Sequence, residues 1–490
     1  MLKKLTRALF GKPGKSRLPA ATDTETASLP AALQALDLPD SVRILTRDEH
    51  GISRKQISPN ALKVLYRLGD AGFHAFLVGG GVRDLLLKGS PKDFDISTDA
   101  TPEEVRELFR NSRIIGRRFK IVHIRFGREI IEVTTFRAHH QADTTISDNS
   151  SRKTMRDMDS AHSDAGMILR DNVYGSIGED ALRRDFTINA LYYTTRGFVV
   201  LDFADGQNDL DQRMIRIIGD PETRYREDPV RLLRAIRFAA KLDFRIEPST
   251  EEPIDHLADL LGSVSPARLF DETLKLLAGG NAERTYALIT RYRIMDYLFP
   301  ATRAATPDPD SSAARLVQLA LRNTDRRLQQ SKSITPAFLY AALLWPPLLE
   351  ALKERGIGPD ERPRQPVLQE AANEVVTAQL QYTAIPRRFT AMMREIWDLQ
   401  WRLMPTTPRR TRGAFEHPRF RAAYDFLVLR EEAGEQTHGQ GQWWTEFQRA
   451  DEERQNQLLA DLQSNREGGK KRRRRSRPKR NKGNPDGGSE

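Results

Sequence analysis

The alternation of apolar and polar residues becomes regular at about Asn60 and predicts a small α/β unit over residues 60–140. The run "ALKVLYRLGDAG" has apolar residues at helical spacing and ends at a glycine, so it predicts a helix. The short runs "HAFLV" and "DFDIS" predict strands, with a helix over Val82 to Lys88 between them. The β-rich runs "FKIVHIRF" and "EIIEVTTF", joined by Gly127-Arg128, predict a hairpin.

The pattern changes twice after this unit. Residues 139–166 are polar and have no period, which predicts a long loop of the kind that is usually functional or disordered. The run "EDALRRDFTINALYY" then predicts a helix, and "FVVLDF" and "MIRII" predict two strands. After Asp228 the spacing is helical to about Ala460, with breaks expected at "TPDPDSS", "LWPPLL", "DERPRQP" and "MPTTPRRTRG". The expected fold is an α/β head, with a small mixed sheet and helices, followed by an all-α body.

Charge is distributed unevenly along the chain. The 490 residues carry a net charge of +11, of which +8 belongs to residues 466–490, with eleven basic and three acidic side chains. This basic tail is expected to be disordered and to bind a polyanion, most commonly nucleic acid. A solubility tail or a nonspecific membrane-surface patch is the alternative. Its RNA-binding candidates are Lys470, Lys471, Arg472, Arg473, Arg474 and Arg475.

Composition excludes several other classes of protein. The chain has no cysteine, which excludes disulfides and thiolate-bound zinc and fits a reducing cytoplasm. The run "MLKKLTRALFGK" lacks the apolar core of a signal peptide, and no window approaches the roughly 18 apolar residues of a membrane span. A cytoplasmic protein without a membrane span is therefore expected.

Two aspartates one residue apart are the first candidate for chemistry. Side chains alternate between the two faces of a strand, so Asp93 and Asp95 share one face while Phe94 and Ile96 point into the core. Two carboxylates about 7 Å apart repel each other unless a cation lies between them, and oxygen ligands suit Mg²⁺. The alternative is a solvated strand edge, which is the commoner explanation of an isolated Asp-x-Asp.

A glycine-rich turn shortly before the aspartates changes that balance. Its backbone N–H groups precede a predicted helix and can face an anion, while Gly79 and Gly80 allow a triphosphate to approach closely. Arg83 adds a guanidinium that can bind phosphate. The turn matches neither a P-loop nor a dinucleotide fingerprint, but a phosphate cradle followed by paired aspartates is a rare combination.

A third carboxylate has two candidates. Glu132 lies within the otherwise apolar and β-branched run "IIEVTTF", where an unpaired carboxylate is costly. Asp185 lies in "RRDFTINA", where a salt bridge or a helix N-terminal acid is the plainer explanation. Arg184 and Asn189 in the same run are candidates for binding phosphate or sugar.

The run "REDPVRLLRAIRF" is a further candidate. Asp228 followed by Pro229 predicts the start of a helix. Asp228 and Arg231 lie three residues apart on that helix, where a carboxylate beside a guanidinium can mimic the pairing edge of a base. The face is either solvated or binds a nucleotide, and its basic stripe continues through Arg234, Arg237 and Lys241.

Together these runs resemble the bacterial class II nucleotidyltransferases, a family that comprises poly(A) polymerases and CCA-adding enzymes. The family pattern has Gly-Gly-x-Val-Arg-Asp, Asp-x-Asp, Arg-Arg-Asp-Phe-Thr-x-Asn, an Asp-Gly loop and Glu-Asp-x-x-Arg. The chain matches these in order at Gly79 to Asp84, Asp93 and Asp95, Arg183 to Asn189, Asp205 and Gly206, and Glu227, Asp228 and Arg231. The resemblance implies a nucleotidyltransferase head, magnesium on the two aspartates, and selection of the incoming base by the Glu-Asp-x-x-Arg helix.

Three features are similar to the poly(A) polymerase branch of the family: the basic run Ile114 to Ile124, the long loop around residues 143–165 and the basic tail. This implies a template-independent polynucleotide adenylyltransferase that adds adenylates from ATP to RNA 3′ ends, in polyadenylation linked to RNA processing and decay. A CCA-adding tRNA nucleotidyltransferase is the alternative within the family. A noncatalytic RNA-binding adaptor is the alternative from another class.

The resemblance also implies a division of the chain. Residues 1–45 are expected to be a disordered segment, 46–220 the catalytic domain, 221–300 a helical neck with the base-recognition helix, 301–465 a helical RNA-binding body and 466–490 the disordered basic tail.

The implied site has a cofactor and partners as well. Mg²⁺ or Mn²⁺ is the expected cofactor and ATP the substrate, with RNA 3′ ends and RNA-decay or RNA-binding proteins as further partners. The catalytic candidates are Asp93, Asp95, Asp185 and Glu132, of which Asp93 and Asp95 would bind metal. The nucleotide-binding candidates are Gly79, Gly80, Arg83, Arg184, Asn189, Asp228, Arg231 and Arg234.

Overall fold

The structure, a computed structural model, describes residues 33, 36, 38–116, 120–138, 160–162, 168–171, 173–358, 361–404 and 407–462. Its strands lie almost entirely in the N-terminal half. In chain order they are β1 (Arg43–Leu45), β2 (Ala75–Val78), β3 (Asp95–Thr98), β4 (Ser112–Ile115), β5 (Ile121–Phe126), β6 (Glu129–Thr135), β7 (Ser160–His162), β8 (Ile168–Asp171), β9 (Leu191–Thr194), β10 (Val199–Asp202), β11 (Met214–Ile215) and β12 (Arg245–Ile246).

Eight of these strands form one mixed sheet in the order β1-β10-β9-β2-β3-β6-β5-β4. The pair β3 and β6 is parallel, and the other neighbours in this sheet are antiparallel. The expected hairpin is present, because β5 and β6 are joined by Gly127-Arg128 and pair from Phe126 and Glu129 onward. Two smaller sheets pair β7 with β8 and β11 with β12.

The helices of the head cover the sheet, and their first residues show why they begin where they do. Thr101 and Glu104 form a capping box across the first turn of the helix that Pro102 begins, and Ser58 caps the helix that Pro59 begins. These helices are α1 (Arg47–His50), α2 (Pro59–Asp70), α3 (Gly80–Leu86), α4 (Pro102–Leu108), α5 (Ile177–Leu182) and α6 (Gly206–Asp211), with 3₁₀ turns at Arg54–Gln56 and Thr187–Asn189.

The remainder of the described chain is helical apart from β11 and β12. The helices are α7 (Pro221–Glu227), α8 (Val230–Leu242), α9 (Pro248–Glu251), α10 (Pro253–His256), α11 (Pro266–Leu277), α12 (Ala282–Arg291), α13 (Met295–Leu298), α14 (Pro300–Ala305), α15 (Ser312–Gln329), α16 (Pro336–Leu343), α17 (Trp345–Glu354), α18 (Gln365–Leu380), α19 (Arg387–Arg402), α20 (Pro408–Phe415), α21 (Phe420–Glu432) and α22 (Gln440–Arg449), with a 3₁₀ segment at Ala258–Ser263. Among the described helices, none combines the length and apolarity that crossing a membrane requires.

The two faces of the sheet belong to different cores. Leu77 and Ile96 face a large core that continues through α8 and α11 into the helical body, where Trp397 belongs to it. Phe76 and Tyr192 belong to a smaller core on the opposite face. This alternation follows from the period of two in a strand, and it places the end of β2 and the start of β3 beside the helical neck.

Three expectations about the head are wrong. The first 45 residues are not structureless throughout, because β1 pairs with β10 and Leu33 is buried. A three-residue strand is too short to give a periodic signal. The helix predicted over "EDALRRDFTINALYY" ends at Leu182, and a 3₁₀ turn and β9 follow. The polar stretch 139–166 contains β7, although the rest of it lies outside the described residues.

The breaks in the helical body agree only in part with expectation. Breaks occur at "TPDPDSS" and "DERPRQP", between α14 and α15 and between α17 and α18. At "LWPPLL" the interruption is confined to Leu344, because Pro346 and Pro347 lie in the first turn of α17, where proline loses no hydrogen bond. At "MPTTPRRTRG" the second half is helical, since Pro408 begins α20 behind the cap Thr407.

Candidate active site

The paired aspartates lie where β3 begins, in the alternation that the sequence predicts. Phe94 and Ile96 are buried, while Asp93 and Asp95 are exposed. Both carboxylates line a cleft between the head and the neck. A binding site therefore explains the two aspartates better than a solvated strand edge does, because both carboxylates lie on a concave surface.

A third carboxylate meets this pair across the sheet. Glu132 is the Cα partner of Asp95 in the parallel register of β3 and β6. Although Asp95 is open to the cleft, the protein around its carboxylate displaces much of the bulk water. This desolvation, followed by the charges of Glu132 and Asp93, raises the pKa of Asp95 to about 6, against the opposing charge of Arg184. Like charges are thus concentrated at Asp95, and a bound cation would relieve their repulsion.

Glu132 is also held by a neighbouring strand. Its carboxylate oxygen Oε1 accepts a hydrogen bond of 3.0 Å from Nε2 of His123 on β5. Glu132 therefore lies beside the aspartates but has a protein partner of its own.

The glycine turn joins β2 to α3. Gly79 has φ +65°, a backbone conformation that favours glycine, and α3 begins at the next residue. A Cβ atom at Gly79 would lie 3.3 Å from Nη1 of Arg184, so the turn packs against that guanidinium. Gly80 and Gly81 line the same cleft as Asp93 and Asp95.

Arg83, the expected phosphate-binding guanidinium, has protein partners in the structure. It is buried, and its guanidinium donates to Asp84 Oδ1 at 2.8 Å and to Asn189 Oδ1 at 2.8 Å. It also lies over the ring of Phe238, 5.1 Å from the centroid. Arg83 thus connects α3 to the 3₁₀ turn and to α8, at the base of the cleft.

Asp185 belongs to the same network rather than to the carboxylate group around Asp95. Its carboxylate accepts from Asn189 Nδ2 at 3.0 Å and from Arg234 Nε at 2.5 Å. Burial alone would raise the pKa of Asp185, but the guanidinium of Arg234 and the hydrogen bond from Asn189 outweigh it and lower the pKa to about 2. A continuous chain of bonds therefore runs from Asp84 through Arg83, Asn189 and Asp185 to Arg234.

Arg184 forms a wall of the site beside Gly79. Its guanidinium donates to the hydroxyl of Tyr192 at 2.7 Å and to Asp180 at 3.3 Å. Asp180 also accepts from Tyr192 and from Ser97 of β3. The broken helix explains this placement, because the turn after Leu182 directs Arg184 back toward the sheet.

The Asp228 and Arg231 side chains have separate partners in this structure. Asp228 accepts two hydrogen bonds of 2.7 Å from the fork of Arg268 on α11. Arg231 is buried and donates to Glu227 at 2.8 Å and to the carbonyl of Arg224 at 2.7 Å. The expected helix begins two residues after Asp228, at Val230, and sequence reasoning missed Arg268 because it lies on another helix.

The cleft has a volume of about 860 Å³ and basic side chains on both walls. Arg237 and Lys241, which continue the stripe from Arg234, line this cleft, and Lys241 is also exposed. Nε of Arg237 has no hydrogen-bond partner within the described chain. Helical spacing from Arg234 indicated both residues, whereas no pattern in the sequence pointed to the other lining residues Lys92, Lys275 and Asn281.

The donor set fits magnesium better than a caged metal. Over the residues that the structure describes, no group of three or more His, Asp or Glu side chains is arranged to enclose a metal ion. Mg²⁺ usually binds through one or two carboxylates and completes its sphere with water and substrate phosphates. Asp93 and Asp95 match that requirement, because their carboxylates are open to the cleft and repel each other.

Three family models match the chain. Residues 75–216 match the "Poly A polymerase head domain", residues 243–306 the "Probable RNA and SrmB- binding site of polymerase A", and residues 360–480 the "Polymerase A arginine-rich C-terminus". The apo form II structure of a CCA-adding enzyme has the same fold, with a TM-score of 0.56 at 20% identity over 83% of this chain and 87% of that one. Fold and head domain therefore define a nucleotidyltransferase.

Sequence similarity over nearly the full length defines the branch. The chain is 49% identical to Poly(A) polymerase I of Salmonella typhimurium, over 89% of this chain and 91% of that protein. It is 50% identical to Poly(A) polymerase I of Escherichia coli O157:H7, over 85% and 88% respectively. The chain belongs to the bacterial poly(A) polymerase I family and is a polynucleotide adenylyltransferase.

The CCA-adding alternative has weaker support. The CCA-adding enzyme of Lactobacillus helveticus is 38% identical over 46% of this chain and 52% of that enzyme. The similarity is therefore restricted to about half of each chain, whereas the similarity to the poly(A) polymerases includes the helical body. The intact aspartate pair also opposes a noncatalytic adaptor.

Proposed function

We propose that adenylate transfer takes place in the cleft between the head and the neck. ATP lies with its triphosphate against Gly79 and Gly80, and Asp93 and Asp95 hold Mg²⁺ or Mn²⁺. The 3′-hydroxyl of an RNA attacks the α-phosphate, pyrophosphate leaves, and the RNA is one adenylate longer. The observation that carries this proposal is the register of Asp95 with Glu132, which concentrates carboxylates beside the glycine turn.

The metal would lower the pKa of the attacking hydroxyl and neutralise charge on the phosphates. The chain's own residues supply position and charge. Asp93 and Asp95 face the cleft, where a phosphate and a hydroxyl can approach them together. Arg184, fixed by Tyr192 and Asp180, offers positive charge next to the glycine turn.

Glu132 and Asp185 take different roles in this proposal. Glu132 completes the carboxylate set, because it is paired with Asp95 across the sheet and adds to the charge there. Asp185 is a positioning residue, because both of its oxygens are occupied by Asn189 and Arg234. Through that network, Arg83, Asn189 and Arg234 hold the neck helix α8 against the head.

Base selection is assigned to the start of α8 and its neighbours. Asp228 and Arg231 are each fixed by a partner, Arg268 and Glu227, so their donors and acceptors are held in place before a base arrives. Preorganised polar groups discriminate more strongly than mobile ones, because they pay no ordering cost on binding.

The helical body and the basic tail are assigned to RNA. Their basic side chains would bind phosphates, which carry no sequence information, so RNAs of varied sequence can be substrates. The division proposed is a catalytic domain over residues 46–220, a neck over 221–300, a body over 301–465 and the tail over 466–490. RNA-decay or RNA-binding proteins are the further partners, and the cytoplasm is the compartment.

The test is an incorporation assay with the full chain. Purified protein is mixed with magnesium and an RNA primer, and ATP, CTP, GTP and UTP are supplied separately and together. Sequencing the extended ends should find runs of adenylate, with release of pyrophosphate that depends on magnesium. Addition of CCA, or no incorporation with any nucleotide, would contradict the proposal.

A further inference from the structure

The helical body contains a second pocket, separate from the cleft of Asp95. It lies between α15, α16, α19 and α21 and has a volume of about 290 Å³. This is near the lower end of the usual range for ligand pockets, about 300–1,000 Å³, and suits one nucleobase. Its apolar lining consists of Ile334, Phe338, Leu339, Met392, Ile396 and Ala422.

The aromatic ring of this pocket is held in one orientation. Phe338 is half-buried and packs edge-to-face on the buried Phe426, with ring centroids 5.8 Å apart and an interplanar angle of 77°. A fixed aromatic ring in a half-open pocket provides a surface on which a base can stack.

The charged groups of the pocket are one carboxylate and three guanidiniums, beside the uncharged polar residues Asn323, Thr324, Ser333 and Thr335. Asp425 lines the pocket, and its side chain is 25% exposed and pairs with Arg421 at 3.1 Å. Arg327 and Arg419 are also in the lining, where they bond to the Ser333 carbonyl and to Glu395. An ionised carboxylate accepts hydrogen bonds and repels other acceptors, whereas guanidiniums attract phosphate.

The pocket adjoins the catalytic cleft. Ala278, the residue after α11, lies in the wall of both. A strand whose 3′ end reaches Asp95 can therefore continue along the end of α11 and place an upstream nucleotide in the body. The shared wall therefore favours an RNA strand as the occupant over a free nucleotide.

We infer that this pocket binds a base of the RNA strand a few nucleotides upstream of its 3′ end, and that it prefers adenine to uracil. The inference rests on the proposed function of the cleft. Adenine stacks on Phe338 and donates its exocyclic amino group to Asp425, while Arg327, Arg419 and Arg421 lie near the phosphates. Uracil has the carbonyl oxygen O4 where adenine has its amino group, and its one donor on that edge, N3–H, lies between two carbonyl oxygens that the Asp425 carboxylate repels. A lengthening adenylate tail would then become its own preferred primer.

The test uses the full chain with a series of RNA primers at saturating ATP. The primers have adenine throughout, with uracil substituted at one position at a time, and a parallel series has increasing length. The wild-type protein should show a KM for RNA that falls at one primer length and rises about tenfold when uracil occupies one particular upstream position. The value of kcat should remain constant.

Variants assign this dependence to the pocket. Asp425→Asn should abolish the discrimination between adenine and uracil at that position, because the amide can donate as well as accept. Phe338→Leu should raise the KM for long adenine primers about tenfold and leave the shortest primers unaffected. Arg327→Gln should weaken binding of long primers without changing base preference. Arg326→Gln is the matched control, since Arg326 precedes Arg327 on α15, is exposed and does not line the pocket.

Each outcome decides the inference. It is overturned if no upstream position discriminates uracil from adenine, or if Asp425→Asn retains the discrimination. It is also overturned if the variants change the KM for ATP with the shortest primer, because the pocket would then hold a free nucleotide. Thermal unfolding of each variant separates loss of fold from loss of binding. Adenylate addition to the shortest primer reports on the cleft alone, so a failure there concerns the proposed function instead.

Discussion

Asp95 and Glu132 are directly paired across the parallel strands β3 and β6, so two carboxylates begin the active-site edge of the sheet side by side. Asp93 adds a third charge on the same face of the chain. The consequence is measurable, because burial and these two neighbours raise the pKa of Asp95 to about 6. The fold therefore holds carboxylates that repel one another close together. A divalent cation bound between them would attract both these carboxylates and the phosphates of a substrate.

Replacing either aspartate should remove activity without unfolding the protein. Asp93→Asn or Asp95→Asn should lower adenylate incorporation by more than roughly a hundredfold, since loss of an outer-shell partner of a metal already costs about 10–100-fold. The thermal midpoint of Asp95→Asn should equal or exceed that of the wild type, because like-charge repulsion is relieved. Asp99→Asn is the control, since Asp99 follows the same strand but bonds to His74. Near-normal turnover in Asp93→Asn or Asp95→Asn would refute their assignment.

Glu132 and Glu129 provide a matched comparison on β6. Glu132→Gln should lower kcat, because one carboxylate fewer attracts the metal ion. A raised magnesium concentration should restore part of kcat, because the remaining carboxylates keep their positions. Glu129 binds Asn60 at 2.6 Å and also Ser58, away from the aspartates, so Glu129→Gln should lower the thermal midpoint and leave kcat unchanged. Equal kcat values for the two variants would place Glu132 outside the site.

Local periodicity predicted part of this site and could not predict the rest. The period of two placed Asp93 and Asp95 on one face, and the glycine turn before them has the positive φ that glycine permits. The pairing of strands could not be predicted in this way, because a run such as "IIEVTTF" does not show which strand lies beside it in the sheet. The proposal that Glu132, and not Asp185, completes the carboxylate set therefore rests on the sheet order.

The helix wrongly predicted after Glu179 has a similar cause. Its apolar residues have helical spacing, but Asp185 accepts a hydrogen bond from the N–H of Phe186 and binds Arg234, which is 49 residues further along the chain. Short polar side chains that bond to nearby backbone compete with helix formation. Long-range partners such as these override local propensity, and no local pattern reveals them.

Asp185 predicts a pH dependence of stability. Its folded pKa is lowered to about 2, so its stabilising contribution is complete above the usual aspartate pKa of about 4 and is lost as pH falls toward 2. Asp185→Asn should therefore lower the free energy of unfolding by on the order of 2 kcal/mol at pH 7. The difference from the wild type should shrink between pH 4 and pH 2. Denaturant unfolding across that range measures it, and a constant difference would mean that Asp185 is not ionised in the folded protein.

Asp185 also predicts a kinetic contrast with Glu132. Because Asp185 positions Asn189 and Arg234 instead of facing the cleft, raised magnesium should not rescue the activity of Asp185→Asn. Magnesium titration of the two variants in parallel makes the comparison. Equal rescue of both would place Asp185 in the catalytic carboxylate set with Glu132.

Base selection should depend on the partners of Asp228 and Arg231. Arg231→Ala should reduce the preference for ATP over CTP and GTP more than it weakens binding of the triphosphate. Arg268→Ala should have the same effect, because it releases the carboxylate of Asp228 from its two hydrogen bonds. Arg226→Ala is the control, since Arg226 lies on the neighbouring helix α7, is exposed and pairs with Glu222. Kinetics with the four nucleotides separately give the ratios, and a uniform loss with unchanged ratios would make the interaction purely structural.

The basic tail should strengthen RNA binding without taking part in the reaction. Residues 466–490 lie outside the described part of the structure, and the expectation rests on their net charge of +8. Binding by such a segment releases counterions, so the logarithm of affinity should fall with the logarithm of salt by about 0.7 per phosphate neutralised on single strands. Deleting residues 466–490 should therefore flatten this salt dependence, weaken binding most at low salt and leave turnover at saturating RNA nearly unchanged. RNA affinity across a salt series, for the full chain and the truncation, tests this. Parallel slopes would mean that the tail does not bind RNA, and a protein partner or an acidic membrane surface would then be the ligand to examine.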